Sequence, residues 1–221
     1  MASARSVVLQ VLVVTAALAA VPCVLSDPTP LQDFCVADLK AATALDGFAC
    51  KPPATVVDED FFSTAIVSGP STSNPFGANT TRATVSAFPG LNTLGLSIAR
   101  IDLAPGGLNP PHSHPRGSEL VLVLKGEVMV GFTSSANRLY SKVVKENELC
   151  VVPRGLQHFQ LNVGAGDAVF VAMFDSQSPG LVVPTFSLFA TKPAMPMEVL
   201  TKTFLMGEDE VDVIKSKFAG F

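Results

Sequence analysis

Charge is scarce in this chain. Only 15% of its 221 residues are Asp, Glu, Lys or Arg, while 48% are hydrophobic. A soluble chain so poor in charge is expected to bury surface in an oligomer as well as in its own core. The net charge of -4, with no basic cluster and no basic-aromatic interleaving, argues against nucleic acid as a partner. There is no Gly-rich phosphate loop, no serine-nucleophile motif and no CxxC pair, so the usual signatures of competing chemistries are missing. Histidine is scarcest of all. The chain has three, and all lie in two short segments. His112 and His114 sit in GGLNPPHSHPRGSELVLVLKG (106–126), and His158 in PRGLQHFQLN (153–162). A Ser-His-Asp arrangement would have to borrow from this set.

Residues two apart on an extended strand share a face, so His-Ser-His aims both imidazoles the same way. Glu119 has the opposite parity and can join them only if the chain turns in between. Pro115-Arg116-Gly117 supplies turn chemistry at that place. From Glu119 the run LVLVLK reads as a buried strand, with Glu119, Val121 and Val123 on one face. Three imidazoles and a carboxylate, without thiolate, suit Mn, Fe, Zn, Ni or Cu(II). Four protein ligands leave an octahedral ion two open positions, whereas a structural zinc is usually closed and rich in cysteine.

The two segments resemble the paired boxes of the germins and germin-like proteins, a plant family of the cupin superfamily. The first box is Gly106, five residues, His112-Ser113-His114, four residues, Glu119, six residues, Gly126, and it matches throughout. The second matches at Pro153, Gly155, His158 and Asn162 and departs at Asn147, where the family has glycine. Asn tolerates a left-handed turn best among non-glycine residues, so the backbone is expected to be kept. The resemblance runs from about Asp27 to the C-terminus. It implies a manganese ion held by His112, His114, Glu119 and His158.

Residues 1–26 read as a secretory signal peptide: Arg5, an apolar run over 7–21, then small residues suited to cleavage before Asp27. The run is too short for a comfortable membrane span, and no other stretch could form one. A secreted protein of the apoplast, without a membrane anchor, is therefore expected. Cys23 leaves with the leader. Cys35 and Cys50 are then expected to pair in an oxidising compartment, as the germin-like flanks DPTPLQDFCVAD and GFACK also imply. Cys150 is expected to be a buried free thiol. Asn79-Thr80-Thr81 is an N-glycosylation sequon, within a Pro- and Ser-rich region (52–89) that reads as loops and short edge strands.

Strands are expected at 94–103, 120–124, 128–133, 138–144, 148–152, 158–162, 168–174 and 182–188, with no helix between them. That pattern gives an all-β sandwich or barrel. The resemblance selects a cupin jelly-roll β-barrel with the ligands at its mouth. The expected organisation is a disulfide-closed N-terminal extension (27–60), the barrel (61–195) and short C-terminal helices (196–221). Two helices are expected, over 196–206 and 209–218, with Val211, Ile214 and Phe218 on one face of the second. The resemblance implies that these clasp a neighbour in a homohexamer, a trimer of dimers.

The site suggests small oxygen species or small acids as substrates. Superoxide dismutation, serving defence or wall chemistry, is the first expectation. Oxalate oxidation, the activity of true germins, ranks behind it. Two asparagines help hold oxalate there; one corresponds to Asn109, a possible substrate contact, and the other falls at Ala99. A non-enzymatic wall-associated, storage or recognition protein is the third. Lys125-Gly126-Glu127 resembles an adhesion tripeptide proposed for the family but reads first as a β-turn.

Overall fold

The computed structural model describes residues 32–44 and 47–220. The expected signal peptide and Cys23 lie outside the described residues. Two small features open the described residues: a short hairpin of β1 (Thr43–Ala44) and β2 (Gly47–Phe48), and the Cys35–Cys50 disulfide, which closes a separation of 15 residues. In the chain-entropy model such a closure stabilises by roughly 3 kcal/mol. Asn92 fastens this extension to the body. Its fully buried amide donates to the Phe48 carbonyl at 2.8 Å, and its Oδ1 accepts from the Phe48 N–H at 3.1 Å.

Nine strands follow: β3 (Ala78–Ala83), β4 (Ser97–Leu103), β5 (Leu108–His112), β6 (Glu119–Lys125), β7 (Val128–Thr133), β8 (Leu139–Val144), β9 (Leu149–Val152), β10 (Gln157–Asn162) and β11 (Ala168–Phe174). All pairings are antiparallel. They form a sheet in the order β5-β10-β7-β8 and another in the order β3-β4-β11-β6-β9. This is the expected all-β cupin architecture. Alternation does the sorting: in β4, Ser97, Ala99, Ile101 and Leu103 are buried while the residues between them are half-buried. Val121 and Val123 of β6, Val128 and Val130 of β7 and Phe170 of β11 complete the core between the sheets. Each fully buried Val, Leu or Phe contributes about 1.5–3 kcal/mol of hydrophobic stabilisation.

The end of the chain departs once from the expectation. Residues 182–188 are not a strand. Val182 makes a single bridge to Ser113, and α1 (Pro184–Phe189) follows. Pro184 sits in the first helical turn, where its fixed φ and missing N–H do no harm. The helix is held by Phe186 and Phe189, whose rings meet Phe218 with centroids 5.8 and 6.2 Å away. Phe218 belongs to α3 (Glu208–Phe218), which follows α2 (Met197–Phe204). Acidic residues begin α3 and Lys215 and Lys217 end it, matching the helix dipole. Val211 is fully buried, so the apolar stripe of α3 packs at least partly on its own chain. Among the described residues no helix is long and apolar enough to cross a membrane.

Candidate metal centre

The two histidine segments meet between the sheets. His112 ends β5, and its cross-strand partner on β10 is His158. His114 follows in the loop, Pro115 and Arg116 make the expected turn, and Glu119 begins β6 in the other sheet. The turn resolves the parity conflict between the histidines and the glutamate. Gly155 ties the segments together: with φ of +76° its N–H donates to the His114 carbonyl at 3.0 Å. Asn162 acts further back, donating from Nδ2 to the carbonyls of Ala104 at 2.9 Å and Gly166 at 2.8 Å. Asn147 adopts the left-handed conformation, φ +66°, as the departure from glycine implied.

All four candidate ligands are buried, and their ligand atoms lie within 4.8 Å of one another. Each imidazole donates its Nδ1–H to a backbone carbonyl: His112 to Pro110 at 2.8 Å, His114 to Gly180 at 2.6 Å and His158 to Leu156 at 2.9 Å. A carbonyl can only accept, so Nδ1 carries the proton and the neutral ring leaves a lone pair on Nε2. Those lone pairs face a carboxylate. Glu119 Oε2 lies 3.2 Å from His114 Nε2 and 2.8 Å from His158 Nε2. Despite that proximity, Glu119 Oε2 and His158 Nε2 are buried without a hydrogen-bond partner. Two electron-rich atoms this close need a cation between them; left bare, each buried polar atom costs about 1–3 kcal/mol. The donor set therefore fits a metal ion.

Electrostatics keep the set ready. Burial first, and then the neighbouring His158 imidazole, which would repel a second positive charge, push His112 down to a pKa of about 3. Burial raises the Glu119 carboxyl, but in the metal-free protein a proton on Nε2 of the facing imidazoles of His114 and His158 takes the place of the cation, outweighs burial and brings the pKa to about 2. Both shifts work against the metal-free fold in acid. Below the unfolded His value of 6.5 the unfolded chain takes up a proton that His112 refuses until about pH 3, so stability falls across that window. Glu119 adds a further loss between 4.5 and about 2. Lowering the pH from 7 to about 5 is expected to remove about 2 kcal/mol through His112 alone. Urea unfolding of the metal-free protein at both pH values checks this; His112→Gln should abolish most of the difference.

One participant escaped the sequence reading. Gln160, fully buried on β10, donates from Nε2 to Glu119 Oε1 at 3.3 Å and accepts from Asn109 Nδ2 at 2.7 Å. It shares the face of His158, two residues away, and that period was its only signal. Asn109 lines a cavity of about 320 Å³ that opens from the metal centre, with Ala99, Phe174 and Leu181 among its walls. Cys150 is free but only half-buried, on β9 opposite Val121. Burial and then the Glu119 charge push its thiol up, away from the reactive thiolate. Asn79 lies on β3, half-buried, and donates to the Ser71 carbonyl at 2.8 Å. Lys125-Gly126-Glu127 is a tight turn, with Gly126 at φ +84°.

Comparison with known proteins agrees with this picture. The family model described as Cupin matches residues 65–212. Germin-like protein 1-2 of Oryza sativa subsp. japonica is 78% identical over 100% of both chains. The chain belongs to the germin family. Oxalate oxidase 1 of Hordeum vulgare is also similar, 48% identical over 88% of this chain and 99% of its own. Among solved structures, a recombinant oxalate oxidase in complex with glycolate superposes with a TM-score of 0.85 at 48% identity, over 88% of this chain and 99% of that one. Membership of the germins gives the buried three-histidine, one-glutamate constellation its plainest meaning, a metal-binding site in a cupin fold.

Proposed function

We propose that this germin is a secreted manganese protein of the plant apoplast that dismutes superoxide. Two superoxide anions and two protons give one dioxygen and one hydrogen peroxide. The observation that carries the reading is the pair of buried, unpartnered atoms, Glu119 Oε2 and His158 Nε2, beside a cavity that His112, His114 and Glu119 line. A redox metal held by His112, His114, Glu119 and His158 would take up and return one electron. The chain's own residues do the rest. Three backbone carbonyls fix the imidazoles, the Glu119 charge favours the more oxidised ion, and Gln160 holds that carboxylate in place. Peroxide released in the wall serves cross-linking and defence.

The surrounding assignments belong to the same proposal. Residues 1–26 act as the signal peptide, and Asn79 carries a glycan on the edge strand. Oligomerisation to a homohexamer finds support on the outer face of the larger sheet. There Leu120 faces Val151 and Leu122 faces Leu149, with Val151 and Leu149 each 60% exposed. Wall association follows from secretion and assembly.

Oxalate oxidation is the second reading, favoured by the 48% identity to barley oxalate oxidase 1. Against it stands Ala99, which offers no amide to a bound carboxylate; losing one such contact is worth about 1–3 kcal/mol. Oxalate, dioxygen and two protons would give two carbon dioxide and one hydrogen peroxide, so peroxide alone does not separate the readings. The manganese-loaded oligomer should be supplied with each substrate in turn. Superoxide consumption without carbon dioxide from oxalate is the expected result. Carbon dioxide release without superoxide consumption would transfer the assignment. Inertness towards both at full manganese occupancy would leave a non-enzymatic wall protein.

A further inference from the structure

The edge strand of the larger sheet carries an exposed arginine on the face that lines the cavity. The register sets Arg82 opposite Ala99 and Thr80 opposite Ile101, so both follow the inward face of β4. Arg82 and Thr80 line the same cavity as His112, His114 and Glu119. No other Arg or Lys is among the cavity's lining residues. It makes no hydrogen bond or ion pair among the described residues. Arg100, on the opposite face of the same sheet, is by contrast clamped by Asp102 at 2.7 Å. Across the sheet from Arg82 come Ala99 and then Ala172. Their methyl groups leave the space beside the guanidinium open.

An unpaired guanidinium at the mouth of a partly apolar cleft attracts anions more strongly than one in bulk water. Its planar fork also matches a carboxylate or a similar oxyanion. We propose that Arg82 makes this cavity a receptor for a small monovalent anion, held between its guanidinium and the metal centre. For the function proposed above that anion is superoxide, and the inference rests on that reading only for the anion's identity. A small carboxylate meets the same chemistry. The competing role for an inward charge on an edge strand is protection against pairing with another sheet.

The test is acetate binding by the metal-loaded oligomer, followed by NMR titration of the acetate methyl resonance, with acetamide as the neutral isostere. Arg82→Ala is expected to weaken acetate about tenfold and to move acetamide less than about twofold, the scale of one charge-assisted contact. Metal content and oligomer size should stay unchanged, because the side chain is exposed and unpartnered. Arg82→Lys, which keeps the charge and loses the fork, is expected to recover part of the loss. Acetate binding unchanged in both variants overturns the proposal, whether or not solubility falls. Equal losses for acetate and acetamide overturn it too, since they mark a collapsed cavity. Binding is read without turnover, so the two readings fail separately. Arg82-dependent acetate binding in a protein inert to superoxide removes the dismutase and keeps the receptor. A dismutase whose acetate binding ignores Arg82 does the reverse.

Discussion

His158→Ala is expected to abolish superoxide dismutation and to leave the purified protein nearly free of metal. His158 is 2% exposed, its Nδ1–H is fixed on the Leu156 carbonyl, and its Nε2 stands 2.8 Å from Glu119 Oε2. Even partners that only orient a ligand change metal affinity about 10–100-fold, so removing a ligand should weaken binding by at least about a hundredfold. The remaining His112, His114 and Glu119 would be a three-coordinate set open on the side of β10. Metal per chain after exhaustive dialysis and superoxide consumption should fall together. The fold should survive, since the core of Val121, Val123, Val130 and Phe170 is untouched. Circular dichroism and oligomer size report that separately. A variant that keeps its metal and its turnover would remove His158 from the centre and the proposed function with it.

The centre was legible in the sequence because its parts carry mutually dependent signals. His112 and His114 share a strand parity, Glu119 breaks it, and Pro115-Arg116 repairs it with a turn. Only a convergent site makes sense of that sequence of events. The β-strands were legible for a similar reason: β4 alternates, and the apolar runs of β6 and β11 are too short for helices and are bounded by turn residues. What stayed hidden depends on contacts distant in sequence. Gly180 supplies the carbonyl for His114 from 66 residues away, and nothing local marks it. The segment 182–188 has strand-like composition, yet Pro184 begins a helix whose stability comes from Phe218, at the far end of α3. Arg82 reads as ordinary loop or edge polarity until the register against Ala99 puts it, still exposed, on the cavity-lining face.

Gln160→Leu tests how far the hidden part of the centre matters. Leucine roughly conserves volume, so the core should repack with little strain. The amide is what disappears. Glu119 Oε1 loses its donor at 3.3 Å, and the Asn109 amide loses its acceptor at 2.7 Å. Both groups stay in the protein interior or cavity wall, where an unmade hydrogen bond costs about 1–3 kcal/mol. The carboxylate is then free to rotate, and metal affinity is expected to fall about 10–100-fold. A Glu119 carboxylate without that donor also takes a proton more readily, so the acid midpoint of metal release should move to higher pH. Chelator competition gives the affinity, and the thermal midpoint of the metal-free protein isolates the packing effect. A lowered midpoint with unchanged metal affinity would make Gln160 a core residue with no hold on the metal. Weakened affinity at an unchanged midpoint would show that Glu119 binds through a geometry that β10 sets twice, once through His158 and once through Gln160.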